Sequence, residues 1–595
     1  MYFVAFLTLL GVCSALAKPD LRYRTWTQYL KMEDGTELHT RFFAPRDYVE
    51  GSGQKYTTIM DRSPYGQFGI ELIADLFVPT GFISVCQDMR GTGLSEGNFS
   101  NWKAEANDSF VTGNWVVEQP WSNGNIFTFG ASADGLAAFP TNYNTPSWLS
   151  SQYYIWTSSI GYEVLYPNGA LLYNLLNRWL KGTVRDYDFD SCWGEFMENE
   201  MESDWWADLT FTGNYDLIKA GNFGFWAGWY DIFLVGNLAA YHGYNFEADP
   251  AVRHKSVITI DPCGHCQDAA PFFTENVIAG RTALALMQAF ETFGVRPVEK
   301  PNIQNVTFYV MSSNDDAGKE AGQYWTSVEE FPKPVMTKFY LHADGSASTE
   351  KPARDTELPE TTSYTFDPTN PQPTQGGNNL WSDAPCGPLD QAELDTRADV
   401  ITFQTDAFTE ELPLTGAINA HLFVGSDAID TDFMVRMSDV YPTGEARLIQ
   451  DSAVRMRWRN GGLTPQFMAK GGVYPASLSL WNTSYVVAPG HALRFAISSS
   501  NYPRFSVNGN NGLLLADAAY PGENITAVNS VYHSAVYASY MELPVVHKHQ
   551  LPETHGIEGM FRAAYPQVDY DFAMEKGPEL LERLAMSRMG DGGGN

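Results

Sequence analysis

A chain of 595 residues is too long for one hydrophobic core, and 44% apolar with 18% charged residues excludes a disordered polymer. The formal net charge of −32, from 70 acidic and 38 basic side chains, excludes a nucleic-acid backbone as a natural partner and disfavours anionic membrane surfaces. What remains is a soluble globular protein of several domains.

The N-terminus reads MYFVAFLTLLGVCSALAKPD. Tyr2 to Val12 is apolar but too short for a bilayer core of ~30 Å, and Ala15-Leu16-Ala17 offers a small-residue cleavage site ahead of Lys18. Residues 1–17 are expected to be a secretory signal. The mature protein is then secreted or lumenal in the secretory pathway, with no stable membrane insertion. Five sequons, at Asn98, Asn107, Asn305, Asn482 and Asn524, are candidate glycosylation sites in that compartment. Cys13 leaves with the signal. The remaining Cys86, Cys192, Cys263, Cys266 and Cys386 are odd in number, so one or two bridges leave at least one thiol unpaired within the chain.

From Lys55 to Phe139, apolar runs end repeatedly in loop residues: KYTTIM in DRSPYG, FISVCQ in DMRGTGLSEG, NIFTF in GASADG. Short buried-type strands alternating with helical stretches predict βαβ units and a mostly parallel sheet. Residues 145–212 are rich in Trp, Tyr and Leu, carry GALLYNLLNRWLKG at helical spacing and read as a helical insertion. Sheet-like runs resume with FGFWAGWYD and SVITIDPCGH, giving 213–300 to the α/β part begun at 18–144. Over 301–546, runs such as VTFYVMSS, HLFVGS and ALRFAISSS alternate with Gly, Pro, Asn and Asp turns and predict an all-β sandwich or jelly roll. The tail 547–595 is mixed; GPELLERLAMSRM has the spacing of a short helix.

Gly130-Ala131-Ser132-Ala133-Asp134-Gly135 follows the run Ile126 to Phe129 and precedes a helical segment. A serine on a sharp strand-to-helix turn, flanked by small residues, is the setting of a nucleophile elbow, with Ser132 as the attacking group. A base must then come from a later strand end. His242 follows a helical segment and His254 precedes its strand, whereas His265 lies in the loop just after SVITI, at the carboxyl edge where Ser132 also sits. Asp231, directly after FGFWAGWY, is the acid preferred; Asp261, four residues before His265, is the competitor. The N–H of Ala133 is one oxyanion donor, and the hydroxyl of Tyr65 in DRSPYG can supply a second.

Taken together and in order, DRSPYG, QDMRGTGLSEGNF, QPWSNGNIFTFGASADG, GWYDIF and DPCGH resemble the motifs of the cocaine-esterase-like and X-prolyl dipeptidyl-peptidase-like serine hydrolases. DTDFMVRMSDVYPTG, GHALRFAISSSNYPRF and VYHSAVYASYMELPV are similar to the same family's β strands. The resemblance spans the chain to about Val546. It implies an α/β-hydrolase core, a helical cap after the elbow strand and a C-terminal jelly roll, and puts Ser132, Asp231 and His265 in a triad with Tyr65 and Ala133 as oxyanion donors. Ala133 departs from the family, which usually has Tyr after the nucleophile. Asp134 is a candidate for recognising a substrate ammonium, with a solvated first-turn aspartate as the alternative.

CGHC, Cys263 to Cys266, matches a thiol-redox tetrapeptide, but no other thioredoxin mark accompanies it; a disulfide between Cys263 and Cys266 bracing the His265 loop is the expectation. The function expected is a serine hydrolase acting on a small ester or peptide substrate through an acyl-enzyme, with no metal or organic cofactor. The alternative is a non-enzymatic glycan- or surface-binding protein on the same scaffold. Oligomeric state is not legible.

Overall fold

The structure is a computed structural model that describes residues 23–66, 74, 77–219, 221–265, 272–273, 276–353, 361–381, 385–568 and 570–571. The signal-like segment 1–17, Cys266 and the helix expected over 577–589 lie outside them.

Ten strands build the first sheet: β1 Tyr23–Lys31, β2 Glu37–Pro45, β3 Tyr56–Ser63, β4 Phe82–Asp88, β5 Ser122–Ala131, β6 Leu149–Ile155, β7 Asn222–Gly228, β8 Ser256–Asp261, β9 Val306–Ser312 and β10 Tyr324–Val328. Their spatial order is β1-β2-β4-β3-β5-β6-β7-β8-β9-β10, with β4 through β9 parallel. β4 and β9 are buried along their whole lengths. That follows from covering both faces of a parallel sheet with helices, among them Glu105–Val117 and Asn276–Thr292. The parallel arrangement puts the ends of β5, β7 and β8, and the loops after them, on one edge.

Two expected boundaries move. The segment 145–212, expected as a helical insertion, begins with β6, which pairs with β5 on one side and β7 on the other. Its sequence, LSSQYYI, hides the strand because its polar residues are satisfied inside the sheet. The Ser151 hydroxyl donates to the carbonyls of Thr292 and Asn222, and the Gln152 amide donates to the Thr128 hydroxyl. The helical cap proper follows, with helices Gly161–Leu165, Tyr173–Thr183 and Asp186–Glu198. The second boundary is at 300: β9, expected as the first strand of the sandwich, completes the α/β sheet instead, with β10 beside it.

The remaining strands form the β domain. Ile401–Gln404, Ala492–Ser498, Asp432–Val440 and Ala446–Arg455 make one antiparallel sheet. Leu412–Ser426 with Tyr474–Val487, Ala527–Tyr532 and Tyr540–Val545 makes the facing one. β9 also pairs with Tyr474–Val487 through Met311 and Ser312, so the two domains share a strand edge. The cap is tied to the β domain by a buried carboxylate. Glu200 accepts hydrogen bonds from the Leu515 N–H (2.8 Å) and the Trp458 indole (3.1 Å), and pairs with Arg457 (3.1 Å).

Candidate active site

Ser132 sits where β5 ends and the helix Ala133–Ala138 begins, at φ +58° and ψ −123°, a conformation a non-glycine residue rarely adopts. Small neighbours make the turn possible. A Cβ on Gly130 would lie 2.6 Å from the Cα of Gly135, and one on Gly135 would run into Thr157. The Ser132 N–H donates to the Ile155 carbonyl at 2.8 Å, and its carbonyl accepts from the Thr157 hydroxyl at 2.7 Å, so the end of β6 fixes the elbow from the side. Ser132 is 5% exposed.

The loops after β7 and β8 meet beside it. Asp231 Oδ2 contacts His265 Nδ1 and also accepts the His265 backbone N–H at 2.8 Å. Its other oxygen caps the N–H of Phe233 at 2.7 Å. Both residues are buried, Asp231 at 0% and His265 at 3% exposure. The imidazole lies between the rings of Trp156 and Phe233, with centroids at 5.5 and 5.4 Å. Its outer nitrogen, Nε2, is buried and takes no hydrogen-bond partner among the described residues. Phe233, whose ring meets the imidazole, and Ser132 line the same cavity.

Asp261, the competing acid, does different work. Its Oδ1 accepts the N–H groups of Cys263 and Gly264, both at 2.8 Å, and its Oδ2 accepts the Trp226 indole N–H at 3.0 Å and pairs with Arg281 Nε. Burial raises its pKa, and the Arg281 guanidinium beside it opposes that rise. Asp261 therefore shapes the loop that carries His265, while Asp231 meets the ring. Arg281 also donates to the Gly264 carbonyl at 3.2 Å and lies over the Trp156 ring at 5.1 Å. Nothing in its helical sequence context marked it.

Two glycines let the loops come together. A Cβ on Gly228 would lie 2.5 Å from the Gly264 Cα, and one on Gly264, at φ +93°, would lie 2.5 Å from Asp231 Cβ. Glycines at the ends of GFWAG and in PCGH were the available signal for this approach. The β domain clamps the acid loop from above: the Asn378 amide donates to the Asp231 carbonyl at 2.8 Å, and the Gln450 amide to that of Trp229 at 2.7 Å.

Ala133 and Tyr65 lie on the cap side. The Trp102 indole donates to the Ala133 carbonyl at 3.1 Å, and the Trp179 indole donates to the Tyr65 hydroxyl at 2.7 Å. The cavity opening on Ser132 holds about 600 Å³ of empty space, its mouth included. Cap residues Leu176, Trp179, Phe196 and Trp206 line it together with Phe233 and Leu380. Among its described lining residues Ser132 is the one with a hydroxyl, and none carries a charge.

Two expectations meet the structure differently. Asp134 is 5% exposed, so it is not the solvated first-turn aspartate, and it is not among the described residues that line this cavity. Cys263 is a free thiol, so it forms no disulfide with Cys266. The backbone hydrogen bond to Asp261 holds it in the core, and burial pushes its pKa up to about 12, the opposite of a redox thiol. Cys86 and Cys192 are also free, whereas Cys386 is disulfide-bonded. Among the described residues no three His, Cys, Asp or Glu side chains gather in a way that could hold a metal ion. No helix among them is long and apolar enough to cross a membrane. Asn98, Asn107, Asn305 and Asn524 are exposed, and Asn482 is half-buried within a strand.

Comparison with known proteins agrees with this architecture. Residues 34–191 match the model of the X-Pro dipeptidyl-peptidase (S15 family), and residues 302–542 that of the X-Pro dipeptidyl-peptidase C-terminal non-catalytic domain. The chain is 26% identical to a cocaine esterase of Rhodococcus sp. (strain MB1 Bresler) over 598 residues, 87% of this chain and 97% of that one. Its fold is similar to an aminopeptidase from a marine sediment Thaumarchaeota archaeon, with TM-score 0.75 at 19% identity over 89% of this chain and 98% of that one. An α-amino acid ester hydrolase gives 0.71 at 20% identity, with the same coverage. The chain belongs to the cocaine-esterase-like and X-prolyl dipeptidyl-peptidase-like family of serine hydrolases.

Proposed function

We propose that this protein is an exported esterase that acts by acyl transfer, with Ser132 as nucleophile, His265 as base and Asp231 as its orienting acid. Ser132 Oγ attacks the ester carbonyl and passes its proton to His265 Nε2. Asp231, on Nδ1, fixes the tautomer and stabilises the imidazolium that forms. The oxyanion is held by the Ala133 N–H, at the start of its helix and without an intrahelical acceptor, and by the Tyr65 hydroxyl. His265 then gives the proton to the leaving alcohol. Water repeats the sequence on the acyl-enzyme and frees the acid.

The observation that carries the reading is the buried imidazole of His265, bound by Asp231 on one nitrogen and, among the described residues, unpartnered on the other. A buried polar atom without a partner costs ~1–3 kcal/mol, which a purely structural histidine would have no reason to retain. Esters of apolar acids are favoured over prolyl peptides. The cavity beside Ser132 is apolar, and among its described lining residues there is no carboxylate to receive a free amino terminus. Export is supported by the short apolar N-terminus and by four exposed sequons.

The test compares p-nitrophenyl butyrate with a Gly-Pro anilide, using the parent and Ser132→Ala. The parent should cleave the ester at least a hundredfold faster in kcat/KM, and the variant should lose that turnover while keeping its melting temperature. Ester cleavage by the variant at the parent rate removes Ser132 as nucleophile. Preference for the anilide removes the esterase reading.

A further inference from the structure

Where a chain leaves a strand, its buried carbonyls lose their ladder partners and need other donors. The loop that carries Asp231 finds them in another domain. Trp229, Tyr230 and Asp231 follow β7 directly, and all three are buried. The Trp229 carbonyl accepts from the Gln450 amide at 2.7 Å and from the Asn378 amide at 3.2 Å. The Tyr230 hydroxyl donates to the Leu448 carbonyl at 2.8 Å. The Asp231 carbonyl accepts from the Asn378 amide at 2.8 Å, against 3.3 Å for the Leu234 N–H of its own loop. Leu448 and Gln450 lie on the strand Ala446–Arg455, so three consecutive residues of the acid loop are tied to the β domain.

Asn378 is the side chain that reaches both carbonyls. A carboxamide nitrogen carries two hydrogens, enough for Trp229 and Asp231 together. Asn378 is 1% exposed, and its Oδ1 takes no partner among the described residues, so the acid loop sets the orientation of the amide. The backbone behind it is firmly held. Gly377 and Gly387 exchange hydrogen bonds at 2.9 and 3.0 Å, the Gly376 N–H donates to the Pro385 carbonyl at 2.9 Å, and Cys386 is disulfide-bonded. A Cβ on Gly377, at φ +86°, would lie 2.8 Å from both Arg504 Nη1 and Asp451 Oδ1, so the residue before Asn378 rests against a buried ion pair. Two residues beyond Asn378, Leu380 lines the cavity that Ser132 lines.

We propose that Asn378 is a positioning residue for catalysis: from the β domain, its amide holds the carbonyls of Trp229 and Asp231 and so keeps the Asp231 carboxylate on the His265 imidazole. Both contacts to His265, at its backbone N–H and at Nδ1, come from Oδ2 of the residue whose carbonyl Asn378 holds. A shift of the Asp231 backbone therefore moves both at once. This rests on the acyl-transfer reading above. It makes the β domain a determinant of turnover as well as a contributor to the cavity lining.

The experiment is a double-mutant cycle with Asn378→Leu, Asp231→Asn and the pair, with Gln450→Leu beside them. Each variant is first shown by its melting curve to be folded at the assay temperature. Turnover of p-nitrophenyl butyrate and the rate of fluorophosphonate labelling are both measured, since labelling reads the serine's attack even in the slowest variants. Asn378→Leu keeps a side chain of similar size and removes both donors. It should lower kcat and the labelling rate by the same factor, roughly tenfold, with KM within about twofold; a full misplacement of about 1 Å would cost on the order of 10²-fold. Gln450→Leu takes a donor from the Trp229 carbonyl alone and should cost less. In the Asp231→Asn background, Asn378→Leu should cost less than about twofold, because the carboxylate it places is already gone, whereas a merely structural role costs the same in both backgrounds. Asn378→Ala replaces Asn378→Leu if the leucine variant does not fold, and is held to the same outcomes. Equal losses in both backgrounds, equal losses from the Asn378 and Gln450 variants, or an Asn378 variant within about twofold of the parent overturn the inference and leave the acyl-transfer reading standing while Ser132→Ala stays inactive. Turnover by Ser132→Ala at the parent rate overturns that reading, and the inference with it.

Discussion

Gly264→Ala tests whether the approach of two loops sets the rate. The added Cβ would lie 2.5 Å from Asp231 Cβ and 2.8 Å from Asp231 Oδ2. Carbon atoms in contact sit at about 3.5–4.0 Å, so the loops must part by roughly 1 Å. The backbone there, at φ +93°, adds a conformational cost of about 1–3 kcal/mol. His265 is the next residue; its backbone N–H donates to Asp231 Oδ2 and its Nδ1 meets the same oxygen, so the displacement falls on the imidazole. A misplacement of about 1 Å in a catalytic group costs on the order of 10²-fold in rate. We expect kcat on p-nitrophenyl butyrate to fall by about that factor. Gly294→Ala is the control: its φ is +72°, and no atom lies within 4 Å of the added carbon. It should lower the melting temperature while leaving kcat unchanged. If Gly264→Ala turns over within about threefold of the parent, contact between these loops does not control catalysis.

Three further outcomes follow from the same structure. Asp231→Asn should retain the fold but lose about 10⁴-fold in kcat, because the imidazole is then held in the wrong tautomer; a loss under tenfold in steady-state assays would reassign the acid. Glu200→Ala removes the carboxylate that anchors the cap to Arg457, Trp458 and Leu515. Arg457 keeps its pair with Asp430 at 2.9 Å, so the cost is that of leaving the buried Leu515 N–H and Trp458 indole without their acceptor, about 1–3 kcal/mol in urea unfolding; no measurable cost would mean the cap is held elsewhere. His491 sits between Asp439 and Asp315, with both ring nitrogens at 2.9 Å, beside the Tyr441 ring. Burial alone would lower its pKa, but the two carboxylates outweigh burial and raise it. The stability it contributes is complete below the unfolded value of about 6.5 and is lost as pH rises through the higher folded value. The melting-temperature gap between the parent and His491→Gln should therefore be widest near pH 6 and narrow toward pH 9; a gap that widens with pH would contradict the pairing.

Much of the architecture was legible because loops punctuate buried runs. The strand before Ser132, the small residues of its turn and the positions of Asp231 and His265 just after apolar runs all left local marks. The hidden parts were hidden for physical reasons. β6 is rich in Ser, Gln and Tyr, and its polar atoms find partners only across the folded sheet, so it reads as part of the insertion. β9 is as apolar as a sandwich strand, and only its parallel partner β8 assigns it to the α/β sheet. Asp134 sits at a helix start that normally faces water, yet tertiary packing buries it. The tetrapeptide around His265 suggested a disulfide, but Asp261 captures the Cys263 backbone and turns its thiol into the core. Arg281, Trp102 and Trp179 act through contacts distant in the chain, which no local spacing reports.

The central claim is that one serine, Ser132, carries the acyl group. Treatment of the purified protein with a fluorophosphonate probe, followed by intact-mass measurement and peptide mapping, tests it most directly. The account predicts a single adduct, on the peptide containing Ser132, that disappears in Ser132→Ala and forms slowly in Asp231→Asn. An adduct on another residue, or an active enzyme that takes up no probe, would contradict it.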